Sequence, residues 1–359
     1  MAPILVGGGV IGSLGCMVFT PRDISQLVRS WVMRLTPGGR RRLALELGEL
    51  HSGVREPGLK NIDKVGTVDN DGILVHWYEY GKVRAHDSSV TIVFVHGFTL
   101  AAESFFMQVN HLRERWPSAR ILLLDVRGHG QTGKVDPSLC TVEGAADDTL
   151  AVLRARGVEG PIILVGHSLG GLVALNLVRR CPPVLRGNIA GIVLVATSIE
   201  ALSDQGLPQI LASPVADQVY NAVESSPKEA RKFKEQAAMI FAPALAVTVF
   251  HRKTDYDIVE FHAAMIHETP LETFVGYFED LQEHDELAAG EHLQGIPGYV
   301  IAGEKDDVTP LSQAERLIEV WPDAWLQIAQ HAGHMVPLEA PEVLNAAIDR
   351  LMIRTLEDN

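Results

Sequence analysis

From residue 91 onward the chain falls repeatedly into short apolar runs rich in Val, Ile and Leu, at 91–95, 121–124, 162–165, 192–195 and 299–302. A strand with one wet face would alternate apolar and polar positions, so these near-continuous runs predict strands covered on both faces. Between and after them, apolar residues recur every three or four positions over 103–116, 142–156, 169–180, 311–320 and 341–356, the period of an amphipathic helix. Strand and helix taking turns predicts an α/β fold, with a mostly parallel central sheet flanked by helices. Just ahead, 64–68 and 73–80 flank the turn signal Asp69-Asn70-Asp71-Gly72, which predicts an antiparallel hairpin at the sheet edge.

Two stretches break the alternation. Residues 200–290 are rich in Ala, Glu, His and aromatics and carry helical but no strand periodicity between two core strands, which predicts an inserted helical cap. The first 60 residues differ in another way. An apolar, glycine-broken run at 4–19 lacks both the basic start of a secretory signal and the length of a spanning helix. After it Ile24, Leu27, Val28, Trp31 and Leu35 follow the helical period among Arg22, Arg29 and Arg34. The expected division is an extension at 1–60, a core at 61–199, the cap at 200–290 and the rest of the core at 291–359.

Charge sharpens this division. Residues 1–60 hold 8 Lys and Arg against 4 Asp and Glu, in a chain whose formal net charge is −14. The overall acidity argues against a nucleic-acid partner, whose phosphates are neutralised by clustered Lys and Arg. The basic extension can lie on an anionic bilayer through residues 1–42, or pack its apolar stripe on the core as most amphipathic helices do. The expected location is cytoplasmic, with any membrane association coming from that segment. Cys16, Cys140 and Cys181 are odd in number and widely spaced, which fits buried thiols better than a disulfide framework or a zinc site. Neither a Walker loop nor a His-Glu-x-x-His zinc spacing occurs, and the cap histidines His251, His262, His267, His284 and His292 show no ligand spacing, so no metal or cofactor is implied.

Candidate chemistry starts at Gly166-His167-Ser168-Leu169-Gly170, a G-x-S-x-G sequence between a predicted buried strand and a predicted helix. The chain must reverse sharply there, which forces the serine into a strained conformation with its hydroxyl exposed at a helix N-terminus. A serine hydroxyl is a weak nucleophile and needs a base, and the base needs an acid to hold it. Two loops after predicted strands, at 299–302 and at 325–329, supply candidates: Gly303-Glu304-Lys305-Asp306-Asp307-Val308-Thr309-Pro310 offers acids, and His331-Ala332-Gly333-His334-Met335 offers bases.

From residue 64 to its end the chain resembles the α/β-hydrolase superfamily, cap included. The resemblance assigns the elbow nucleophile to Ser168, the acid of a G-x-x-D-x-V-x-P pattern to Asp306 in preference to Asp307, and the base that directly follows glycine to His334 in preference to His331. His96-Gly97-Phe98 is similar to the family's oxyanion loop and implies that the Phe98 and Leu169 backbone N–H groups stabilise a developing oxyanion. His96 itself is expected to brace that loop. Asp125-Val126-Arg127-Gly128-His129-Gly130 also matches a recurrent family segment, in which Asp125 and Arg127 are expected to shape the loop. Relatives that open epoxides or displace halide carry aspartate at the elbow, where this chain has Ser168, which argues against both reactions.

The resemblance implies acyl transfer on a carboxylic ester or related small-molecule acyl substrate. Carbon–carbon bond hydrolysis, cofactor-free haloperoxidation, acyl transfer to another acceptor and a non-catalytic ligand-binding scaffold are the alternatives on the same residues. Met239, Ile240, Phe241, Leu245, Val247, Phe250, Phe261, Met265, Phe274, Tyr277 and Phe278 give the cap apolar faces that form its own core or roof a lipophilic substrate.

Overall fold

A computed structural model describes residues 57–81, 90–200 and 249–357. Its centre is an eight-stranded sheet: β1 (Lys64–Asn70), β2 (Ile73–Tyr80), β3 (Thr91–Val95), β4 (Arg120–Leu124), β5 (Ile162–His167), β6 (Ile189–Val195), β7 (Gly298–Gly303) and β8 (Ala324–Ala329). The strands lie in the order β1-β2-β4-β3-β5-β6-β7-β8. β1 and β2 form the predicted hairpin, β2 runs antiparallel to β4, and every later pairing is parallel.

The uniform runs are buried on both faces, and alternate residues serve opposite layers. Ile92 and Phe94 point into a cluster with Val109 and Leu112 of α1 (Phe106–Arg115) and Leu344, Ile348 and Leu351 of α7 (Pro341–Glu357). Val93 and Val95 face the opposite cluster, built with α2 (Val142–Ala155), α3 (Leu169–Arg180) and α6 (Leu311–Val320). The helix expected over 103–116 starts differently: Ala102–Phe105 is a tighter 3₁₀ turn that leads into α1. Its first N–H is taken by the Asp125 carboxylate at 2.8 Å, which ties the start of the turn to the end of β4.

Between β6 and β7 in the chain lie α4 (Tyr256–Glu268) and α5 (Leu271–Glu283), within the stretch expected to form the cap. α4 packs Val259, Ala263 and Ile266 in one cluster with Leu100, Val308 and Met335, from the loops after β3, β7 and β8. α5 is fastened to the loop after β4: Thr273 Oγ1 donates to the Gly128 carbonyl at 2.7 Å and the Tyr277 hydroxyl to that of Arg127 at 3.2 Å. The rest of the expected cap and nearly all of the basic extension fall outside the described residues. Among the described residues no helix is long and apolar enough to cross a membrane.

Candidate active site

The sheet order brings the predicted loops to one end. β3 lies between β4 and β5, so strand order reverses there, and in sheets of this kind ligands bind beyond the carboxyl ends of the strands at such a point. Val95 is in register with Gly166, which sets the loop after β3 beside the Ser168 turn. Gly303 is in register with Ala329, so the loops bearing Asp306 and His334 leave the sheet side by side.

Ser168 has φ 52° and ψ −119°, a conformation that L-residues rarely adopt, at the N-terminus of α3. Its backbone is pinned from three sides: its N–H donates to Val195 O at 2.9 Å, and its carbonyl accepts from Gly171 N at 2.8 Å and Thr197 Oγ1 at 2.7 Å. The flanking glycines are required by close approach: a Cβ on Gly166 would stand 2.3 Å from Gly170 O, and one on Gly170 would stand 2.0 Å from Val95 O. Neighbouring strands thus hold the strain, and the half-buried Ser168 side chain is left at the helix end.

Asp306 is buried and accepts from four donors. Oδ1 takes the amides of Val308 and Thr309 at 2.8 and 2.9 Å, Oδ2 takes the Thr309 hydroxyl at 2.8 Å, and His334 Nδ1 lies 2.9 Å from Oδ2 and 3.1 Å from Oδ1. Burial works to raise the Asp306 pKa, but the His334 imidazole beside it and these hydrogen bonds overcome burial and hold it below the usual carboxylate range. Asp307 points away and is 83% exposed, with His251 at 3.7 Å. His331, at φ 62°, pairs with Glu304 on the surface, so neither competitor joins the constellation.

His334 is fixed through its main chain: its N–H donates to Val249 O at 3.0 Å, and its carbonyl accepts from His167 Nε2 at 3.0 Å. The rings of His167 and His334 are 5.1 Å apart, which brings the base candidate to the residue next to Ser168. Asp306 and His334 are therefore joined directly. The Ser168 hydroxyl makes no side-chain hydrogen bond to His334 among the described residues; such contacts commonly tighten only when substrate binds.

The loop after β3 is held by two buried histidines. His96 Nε2 accepts from the Val126 amide at 2.9 Å and Nδ1 lies 2.8 Å from Gly97 O, while His129 Nε2 accepts from Thr99 N at 3.0 Å and Nδ1 faces Arg127 O at 3.1 Å. Each ring accepts through Nε2 and so carries its proton on Nδ1. Burial pushes the His96 pKa down to about 4 and that of His129 to about 3, the latter helped by the His96 ring nearby. Both act as neutral braces, as expected for His96; nothing in the sequence reading singled out His129. Among the described residues neither the Phe98 nor the Leu169 amide donates to a partner, which leaves one N–H group on the loop after β3 and one at the first residue of α3, next to Ser168. The Phe98 ring lies 5.1 Å from that of Phe274 and 6.0 Å from that of Tyr277.

Asp125 and Arg127 shape the loop as expected. Asp125 accepts from the Ala102 and Gln131 amides and from the Tyr78 hydroxyl, and Arg127 makes a two-pronged pair with buried Asp148 at 2.7 and 2.8 Å. The cap histidines do not converge on a common centre: His284 is paired with Glu286 at 2.8 Å and His292 with Arg186 at 3.1 Å. His262 is buried against Phe250, and burial together with the charge of nearby His334 lowers its pKa to about 3. Sequence reasoning passed over Glu103, whose carboxyl is pushed up to about 7 by burial and by the charges of Glu268 and Asp125. It also passed over Glu339, whose contacts come from Gly333, 6 residues earlier, and from His251, 88 residues earlier, and leave no periodic trace in the sequence.

Residues 92–347 match the profile of the alpha/beta hydrolase family. Over 280 residues the chain is 28% identical to the dihydrolipoyllysine-residue acetyltransferase component of the acetoin cleaving system of Pseudomonas putida, covering 76% of this chain and 65% of that protein. It thus spans just under two thirds of that relative's length. It is 24% identical to the uncharacterized hydrolase YugF of Bacillus subtilis (strain 168), covering 77% of this chain and 94% of the relative. Among solved structures, a thermophilic esterase from Thermogutta terrifontis superposes with a TM-score of 0.63 at 22% identity, over 82% of this chain and 99% of that one, a likeness of fold.

Proposed function

The chain belongs to the alpha/beta hydrolase family and is a hydrolase, and on that premise we propose that it cleaves carboxylic esters or related small-molecule acyl substrates through Ser168, His334 and Asp306. The observation that carries this reading is the buried Asp306–His334 pair at the ends of two adjacent strands, set beside a serine in the strained turn that a nucleophile elbow requires.

With its Nδ1 turned to Asp306, His334 has Nε2 left to accept a proton. In the proposed reaction Ser168 Oγ attacks the acyl carbon while its proton passes to His334 Nε2. The negative charge gathers on the former carbonyl oxygen, where the Phe98 and Leu169 amides are the candidate donors, each worth about 3 kcal/mol in a site of this type. His334 then gives its proton to the leaving alcohol, and the bond from that alcohol to the acyl carbon breaks. Water, activated by the same imidazole, releases the acid and restores the serine.

Residues 200–290 act in this reading as a helical cap between core segments 61–199 and 291–359. The half-buried rings of Phe98 and Phe274 favour a lipophilic acyl group. Phe250, Met265 and Tyr277, buried in packing, serve the interface between insertion and core instead. Contact of residues 1–42 with an anionic bilayer belongs to the proposal on charge pattern alone; full-length protein that stays wholly unbound to anionic vesicles in low salt removes it.

Steady-state turnover of p-nitrophenyl acyl esters tests the reaction. Ser168→Ala is expected to lower kcat by about 10⁶-fold, to the level of the remaining donors and binding contacts. A variant that retains wild-type turnover removes Ser168 from the mechanism.

A further inference from the structure

Glu339 ends the one-turn helix Val336–Glu339 that follows His334, and its carboxylate is buried. A carboxylate taken out of water usually lies against Lys or Arg, because an unpaired buried charge is costly. Here the main chain takes that place. Oε1 accepts from the Gly333 amide at 2.7 Å, and Oε2 accepts from the amides of His251, at 2.5 Å, and Arg252. The Arg252 guanidinium turns instead to the Glu339 carbonyl and the Glu342 carboxylate. Burial pushes the Glu339 carboxyl above its ordinary range, with the three amides opposing.

These donors belong to two separate segments. Gly333 immediately precedes His334. His251 and Arg252 belong to the stretch that leads into α4, whose Val249 carbonyl receives the His334 N–H. One carboxylate thus holds the residue before the imidazole with one oxygen and, with the other, the segment that receives the His334 amide.

We propose that Glu339 is a positioning residue for His334, tying the imidazole-bearing loop to residues 249–252 so that the seating of α4 fixes where the imidazole stands relative to Ser168. The inference rests on the reading of His334 as the base. Glutamine fills the same space but offers one acceptor oxygen and one N–H₂ donor, so it cannot receive amides on both sides. In Glu339→Gln one segment therefore meets a donor where it needs an acceptor.

In the full-length protein, Glu339→Gln should lower kcat for p-nitrophenyl esters about 10- to 100-fold, as expected when a reacting group is displaced by about an ångström. KM should stay within about threefold, since no binding contact is removed. The rate of fluorophosphonate labelling at Ser168 should fall in parallel, while Glu342→Gln, which removes the outer pair with Arg252, should keep the wild-type kcat. Folded Glu339→Gln protein with wild-type kcat and labelling rate overturns the proposal. If that variant does not fold, hydrogen exchange of the wild type decides: shared protection of the Gly333, His251 and Arg252 amides supports the tie, and free exchange at these positions overturns it. A wild type that fails to label sinks the reading of Ser168 instead, and the exchange measurement still judges the tie.

Discussion

Asp306 and Asp307 are adjacent and chemically identical, yet one is buried against the imidazole and the other stands in solvent. Nothing in local composition separates them, because loop conformation decides which way a side chain leaves the backbone and loops carry no periodic pattern; the motif resemblance chose between them. The consequence is electrostatic. The folded pKa of Asp306 is held down, so its stabilising contribution is complete above the unfolded carboxylate value near 3.9 and is lost as pH falls through the folded value. Asp306→Asn keeps the shape but offers no anion and favours the wrong imidazole tautomer. It is expected to lower kcat by about 10⁴-fold. In urea unfolding its stability deficit should shrink as pH drops below about 4. Activity within about tenfold of wild type contradicts the assignment of the acid.

The parallel strands β3 to β7 were legible because burial on both faces leaves a near-continuous apolar signature, which the partly exposed edge strand β8 lacks, and the hairpin because Asp71 and Gly72 supply the positive φ values its turn needs. The elbow was legible for a related reason: only glycines fit where Gly166 and Gly170 approach neighbouring backbone. The seat of α5 was not. It depends on carbonyls of Arg127 and Gly128 that lie about 145 residues earlier, and a hydrogen bond to a carbonyl leaves no mark on residue type. Arg127 holds that seat in shape through its pair with Asp148, and Asn70 reaches the same carboxylate at 2.7 Å. Arg127→Met leaves a buried carboxylate without its cation and should cost about 3–5 kcal/mol in urea unfolding. On the protein that remains folded, kcat should change by less than about threefold, since Arg127 shapes the loop and takes no part in the proposed chemistry. A loss of activity as deep as that of Ser168→Ala would move Arg127 into the reaction.

Across the molecule, one end of the sheet gathers loops that are far apart in sequence, because β3 sits between β4 and β5 and because β7 and β8 emerge in register. That convergence was readable in outline from motif position, since each candidate falls just after a predicted strand, while the strand order was not. The packing of α4 and α5 against the loops at this end was readable only as a helical interruption, since helix period reports which face is apolar and not what that face meets. Apolar rings on both sides of the interface predict a preference for longer acyl chains. Each added methylene that is buried is worth about 0.8 kcal/mol, so kcat/KM for p-nitrophenyl esters should rise up to about fourfold per carbon until the pocket is filled. Equal efficiency from acetate to octanoate contradicts a lipophilic site.

The proposed chemistry requires Ser168 to be an activated nucleophile. Treating the purified full-length protein with a fluorophosphonate and locating the adduct by peptide mass mapping tests it most directly. One phosphonyl group per chain on the peptide containing Ser168, absent in Ser168→Ala and strongly slowed in Asp306→Asn, is the predicted result. Folded wild-type protein that takes up no label, or takes it up on another residue, would contradict it.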